Sequence, residues 1–140
     1  MADFNDAIID EFRSNGGRVQ TYGFGDSLLL VHSVGAKSGT RRIHPLMALR
    51  DGGDWLIAAS AAGQPKHPGW YHNLVASPET VVEVGQDGEV VSVPVRVTDL
   101  KGADRDSAWS KFTASGPAFA KYQEKAVDRL IPVLRLTPTS

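Results

Sequence analysis

Between positions 3 and 14, Phe4, Ala7, Ile8 and Phe12 recur at spacings of three and four, with Asp6, Asp10, Glu11 and Arg13 on the other face. That period predicts an amphipathic helix lying over the core, and Gly16–Gly17 ends it. SLLLVHSV (27–34), bounded by Asp26 and Gly35, reads as a buried strand. RIHPLMALR (42–50) reads as a second strand, which Asp51-Gly52-Gly53-Asp54 turns into a third, WLIAAS (55–60). PGWYHNLVAS (68–77) has the look of a short helix, with Pro68 near its first turn and Pro78 as its stop. TVVEV (80–84) and EVVSVPVRV (89–97) flank the turn Gln86-Asp87-Gly88, and Pro94 predicts an edge or bulge position in the second of them. Helices over 103–114 and 117–127, split by Ser115-Gly116-Pro117, precede a last strand, IPVLRLT (131–137).

Six short strands joined by hairpins, with few long crossovers, predict a mainly β fold with α elements, a small closed or partly closed barrel with helices outside. The 140 residues suit one domain spanning 1–140, and 14 glycines with 8 prolines fit many turns. Hydrophobic residues at 41% and charged residues at 22% are ordinary for a soluble globular chain. There is no cysteine, which removes disulfides, iron–sulfur clusters, thiolate zinc and a cysteine nucleophile, and suits a reducing compartment. A net charge of −1 argues against a nucleic-acid partner. The opening MADFNDAIID has no basic n-region, and no run reaches the roughly 18 apolar residues of a membrane span, so a cytoplasmic location is expected.

Two stretches carry candidate chemistry. Gly35-Ala36-Lys37-Ser38-Gly39-Thr40-Arg41-Arg42 gathers three cations, two hydroxyls and two glycines between apolar strands, and leads into Ile43-His44-Pro45-Leu46. Glycine lets backbone N–H groups turn toward an anion, while lysine and arginine supply charge and forked donors. The stretch departs from a Walker A loop, because Ala36 stands before the lysine. It reads either as an anion-binding loop or as a solvated hairpin. From Ser60 to Gly63 small residues follow a strand end, and Trp70, Tyr71 and Asn73 come next on a short helix. Such a place can admit a flat ring, although a core role is the plainer reading for Trp70 and Leu74. The four histidines lack metal-ligand spacing, Ser60 lacks the glycines of a nucleophile elbow, and Leu28 breaks the dinucleotide pattern begun by Gly23-Phe24-Gly25.

Gly35-x-Lys37-Ser38-Gly39, Arg42-x-x-Pro45-Leu46, the Asp51-Gly52-Gly53 turn and Pro68-x-Trp70-Tyr71-x-Asn73-Leu74 with Pro78 occur in one order over nearly the whole chain. In this it resembles the deazaflavin-dependent nitroreductase family, which has a split β-barrel fold and uses reduced coenzyme F420. The resemblance implies that Lys37, Ser38, Gly39, Arg41 and Arg42 hold the phosphate and acidic tail of the coenzyme. It implies that His44, Pro45, Leu46, Ser60, Ala61, Ala62, Gly63, Trp70 and Asn73 complete the cofactor site. Tyr122 resembles a position on the substrate side, and Ser60 and Tyr122 are the candidate donors to the acceptor's developing negative charge. Ala36 and Ala61 replace a frequent arginine and a frequent lysine of the family.

The implied reaction is hydride transfer from the reduced deazaflavin to electron-poor conjugated acceptors such as quinones, enones, unsaturated lactones or nitroaromatics. The rival readings are an FMN-dependent reductase or oxidase on the same barrel and a non-catalytic coenzyme carrier. Expected partners are small molecules, with peripheral membrane contact for a quinone, and exposed strand edges admit a homodimer.

Overall fold

The computed structural model describes residues 4–20, 25, 27–35, 39–59, 69–115, 121–124 and 130–139. The chain forms α1 (Phe4–Ser14), β1 (Leu28–Val34), β2 (Arg41–Met47), β3 (Leu49–Asp51), β4 (Asp54–Ala58) and α2 (Gly69–Ala76). It continues through β5 (Glu79–Gln86), β6 (Glu89–Asp99), α3 (Gly102–Ser115) and β7 (Val133–Pro138). The strands pair antiparallel throughout, in the order β2-β1-β5-β6-β7-β4-β3. The two outermost strands, β2 and β3, are separated in the chain by Ala48 alone. The sheet must therefore curl until its edges meet, which makes it the expected split β-barrel.

The alternation of side chains explains why several strands read as unbroken apolar runs: both faces are covered. Leu29, Val31, Ile57, Val82, Val95, Leu134 and Leu136 point into the barrel, where Tyr71 and Leu74 of α2 join them. Leu28 and Leu30 face the other way, onto Ile8, Ile9 and Phe12 of α1. Leu56 and Val133 likewise point outward, onto Ala108 and Phe112 of α3.

With all pairs antiparallel, β1, β6 and β4 run in one direction and β2, β3, β5 and β7 in the other. The segments that follow β1 and β4, widely separated in sequence, thus leave the barrel at the same end. The turns at 51–54 and 86–89 lie at the opposite end.

Four expectations need correction. Among the described side chains the buried face of α1 is Ile8, Ile9 and Phe12, with Ala7 exposed, and the side chain of Phe4 lies outside the described ones. The strand expected over 42–50 breaks at Ala48, whose N–H donates to the Ser27 carbonyl at 2.9 Å, and this break carries the chain from one sheet edge to the other. β6 is central rather than an edge, yet Pro94 sits where β7 runs out: the β6–β7 register starts at Val95↔Pro138, and the Pro94 carbonyl accepts from Thr139 N–H at 3.0 Å. A strand residue's N–H and C=O point to one side, so proline leaves the Pro94–Thr139 pair with one hydrogen bond where two are usual, at the end of the β6–β7 ladder. Of the helix expected over 117–127, residues 121–124 are helical, and its other positions lie outside the described residues.

Candidate functional site

The loop after β1 is closed by its own backbone. Gly35 N–H donates to the Thr40 carbonyl at 2.9 Å, and Gly39 N–H donates to the Gly35 carbonyl at 2.8 Å. Gly39 has a φ of +70°, a left-handed conformation open to glycine and costly for most side chains. Lys37 and Ser38 lie outside the described residues, as do Ser60, Ala61, Ala62 and Gly63.

Register sorts the remaining candidates on β2 into two sets. Ser33 pairs with Arg42, Val31 with His44 and Leu29 with Leu46. These residues share one face, and Leu46 packs with Trp70 against the interior cluster. Arg41 and Pro45 lie on the opposite face, across from Val34 and Leu30. Arg41 instead borders an outer groove of about 390 Å³ that His32, Glu79 and Thr80 also line. The fold therefore gathers Arg42, His44, Leu46 and Trp70, and separates Arg41 and Pro45 from them.

His44 is half-buried, with Nε2 2.9 Å from the Ser33 hydroxyl and its ring centroid 6.4 Å from that of Trp70 at a tilt of 43°. Burial, and then the positive charge of Arg42, hold its pKa below the ordinary histidine value, so the imidazole is neutral at neutral pH. Arg42 and Arg41 are exposed, and among the described residues neither forms an ion pair. Guanidinium charge without a carboxylate, beside an aromatic ring and a neutral imidazole, fits an anionic ligand that carries a flat ring.

α2 holds the ring side of this arrangement. Its Tyr71 hydroxyl donates to Asp99 Oδ2 at 2.6 Å, and Asp99 also meets Lys101 Nζ at 3.0 Å. Burial first, and the Asp99 carboxylate second, push the Tyr71 pKa up to about 12, so the phenol remains a donor. This tie fixes the helix that carries Trp70 and Asn73, both half-buried.

Tyr122 takes a different position. It packs, half-buried, on the outer cluster of Leu56, Ala58, Phe112 and Val133, across β4 from the interior. Its segment is held by Gln123, whose Oε1 accepts from Ile131 N–H at 2.9 Å and from Arg105 Nη2 at 3.4 Å. Arg105, only 5% exposed, also donates twice to the Ile131 carbonyl, at 3.0 and 2.7 Å. Sequence reasoning missed Arg105 and Ser33. A signal for Arg105 was present: it precedes Ala108 and Phe112 by three and seven positions, on the apolar stripe of α3.

The chain is similar to known proteins over nearly its whole length. The family model of the F420H(2)-dependent quinone reductases matches residues 7–138. An F420H(2)-dependent quinone reductase of Mycobacterium tuberculosis is 37% identical over 137 residues, covering 95% of this chain and 87% of that protein. A solved F420-H2 dependent reductase (FDR-A) superposes with a TM-score of 0.67 at 39% identity, covering 79% of this chain and 93% of that one. A second solved chain, described as a domain-swapped dimer, gives a TM-score of 0.70 at 34% identity, covering 91% and 90%. On this match the chain belongs to the F420H(2)-dependent quinone reductase family, and it is an oxidoreductase that draws on reduced coenzyme F420.

Proposed function

We propose that the protein reduces quinones and related electron-poor conjugated acceptors, including enones, unsaturated lactones and nitroaromatics. The observation that carries this reading is the shared face of Arg42, His44, Leu46 and Trp70, on the strand entered from the Gly35–Thr40 loop. Arg42 with Lys37, Ser38 and Gly39 holds the anionic portion of the coenzyme. Trp70 and Asn73, with Ser60 to Gly63, line its ring. Arg41, on the far face of β2, acts on the anion only as a more distant charge.

Bound coenzyme F420 supplies a hydride, and the work of this chain is to hold the ring, exclude water from it and stabilise charge on the acceptor. A neutral His44 beside Trp70 adds no cation of its own near the ring. The acceptor takes on negative charge as it is reduced, and Ser60 or Tyr122 donates a hydrogen bond to it. A relative described as a domain-swapped dimer supports a homodimeric assembly. Among the described residues no helix is long and apolar enough to cross a membrane, and a lipid-soluble quinone would be met at the membrane surface.

The test is to titrate the purified protein with coenzyme F420, then add a naphthoquinone and follow oxidation of the reduced coenzyme. Turnover with the quinone supports the proposal. Tight coenzyme binding with no turnover on any of the four acceptor classes would leave a carrier protein instead.

A further inference from the structure

We propose a second binding site, for a small amphipathic anion, in the mouth of the barrel at the end opposite the anion loop. A cavity of about 870 Å³ opens there between the turn after α1 and the starts of β1 and β4. Its walls include Leu29, Val84, Val93 and Trp55, and among the described residues Arg18 and Arg50 are the two cations on it. Barrel mouths are places where ligand pockets of this size occur.

The position of Arg50 is the telling feature. Arg50 pairs with Trp55, and Trp55 pairs with the interior residue Leu136, so both belong to the face of the sheet that lines the barrel, here at its open end. The guanidinium carbon of Arg50 lies 4.6 Å from the Trp55 ring centroid. Arg50 is nonetheless exposed, so its guanidinium stands at the solvent rim of the mouth, over the face of Trp55. Among the described residues neither Arg50 nor Arg18 pairs with a carboxylate, and Asp87, exposed on the 86–89 turn, is the one acid on the wall. The wall is part apolar, through Leu29, Val84, Val93 and Trp55, and part polar, through Asn15, Ser27 and Gln86. With two guanidinium groups free of carboxylates, it suits an organic carboxylate or sulfonate whose ring meets the apolar side and whose anion meets the arginines. The nearby turn is pinned, since a Cβ on Gly17 would fall 2.5 Å from the Gly85 Cα, so the mouth cannot collapse inward without moving backbone. The filled interior of Ile57, Val31, Tyr71 and Leu74 lies between this cavity and the coenzyme end, which makes the two sites independent.

The test is calorimetric titration of the full chain with 2-naphthoate, and with 2-naphthamide as the same ring without the charge. One naphthoate per chain is expected, with the amide at least tenfold weaker. Arg18→Gln and Arg50→Gln should each weaken naphthoate at least fivefold, while coenzyme F420 affinity stays as in the parent protein. Thermal melting checks that each variant is folded, and if Arg50→Gln is not, Arg18→Gln alone decides. Saturating coenzyme F420 should leave naphthoate binding unchanged. No saturable heat, equal affinity for the amide, indifference to the folded variants, or displacement by the coenzyme would each overturn the proposal.

Discussion

The Ser33 hydroxyl and His44 Nε2 stand 2.9 Å apart across the β1–β2 pair, with Ser33 only 2% exposed. A buried hydroxyl with one imidazole to meet fixes the ring's orientation, and burial together with Arg42 keeps that ring neutral. The folded protein thus binds this proton more weakly than the unfolded chain does. Stability should fall as pH drops below the ordinary histidine value of about 6.5, and the loss should level off below the lowered folded value. His44→Asn should flatten the curve between about pH 7.5 and 5.5 when urea midpoints are compared. A dependence of equal steepness in the variant would show that other groups cause it.

Arg42 should matter more to the coenzyme than Arg41, because only Arg42 shares a face with His44 and Trp70. A charge-assisted contact is worth roughly 1.5–3 kcal/mol, so Arg42→Ala should weaken coenzyme F420 binding about tenfold or more. Arg41→Ala should weaken it less. Fluorescence titration of both variants at one salt concentration gives the comparison, and the reverse order would contradict the placement of Arg42.

α1 is fastened by charge as well as by its apolar face. Arg13 donates to both carboxylate oxygens of Glu83, at 3.0 and 2.8 Å, and His32 Nε2 lies 2.8 Å from Glu83 Oε2. The hydrogen bond from Arg13 is the chief cause of Glu83's lowered pKa, so this stabilisation is present above the carboxylate range and is lost as pH falls through the lowered value. The Arg13 side chain is 45% exposed, so solvent screens the pair, and Arg13→Ala should cost about 1–2 kcal/mol rather than the larger cost of breaking a fully buried pair. Denaturant unfolding at neutral pH measures it. A loss below about 0.5 kcal/mol would mean that His32 alone suffices for Glu83.

Where α1 ends, glycine faces glycine. A Cβ on Gly85 would stand 2.5 Å from the Gly16 carbonyl oxygen, and Gly16 and Gly17 have φ of +63° and +95°. Backbone cannot yield as a side chain does, so Gly85→Ala should destabilise by about 1–3 kcal/mol. Thermal melting at neutral pH reads this out, and an unchanged midpoint would refute the close approach.

These pairs mark how far the sequence could be read. Apolar runs and turn glycines placed the strands, because alternation and turn chemistry are local. Gly16–Gly17 was legible as a helix stop, but its contact with Gly85 depends on which hairpin α1 crosses. Arg13 read as part of a solvated face for the same reason: Glu83 lies 70 positions away. On β2 the charges were visible, yet which arginine faces Trp70 follows only from the register with β1. That the loops after β1 and β4 share one end is set by the strand order.

Tyr122 gives the sharpest test of the reaction. It packs on the cluster of Leu56, Phe112 and Val133, on the outer face of β4. If its hydroxyl reaches the acceptor, Tyr122→Phe lowers turnover and leaves coenzyme affinity near that of the parent protein, because the hydroxyl acts on the acceptor and not on the anion loop. If its place is only structural, the variant loses thermal stability and changes coenzyme affinity and turnover together. The same preparation tests the hydride step. Deuterium at C5 of the reduced coenzyme should appear on carbon in an enone product, since a hydride passed directly does not exchange with water. Label lost to solvent while product still forms, or turnover driven by NADPH without the deazaflavin, would rule out direct transfer.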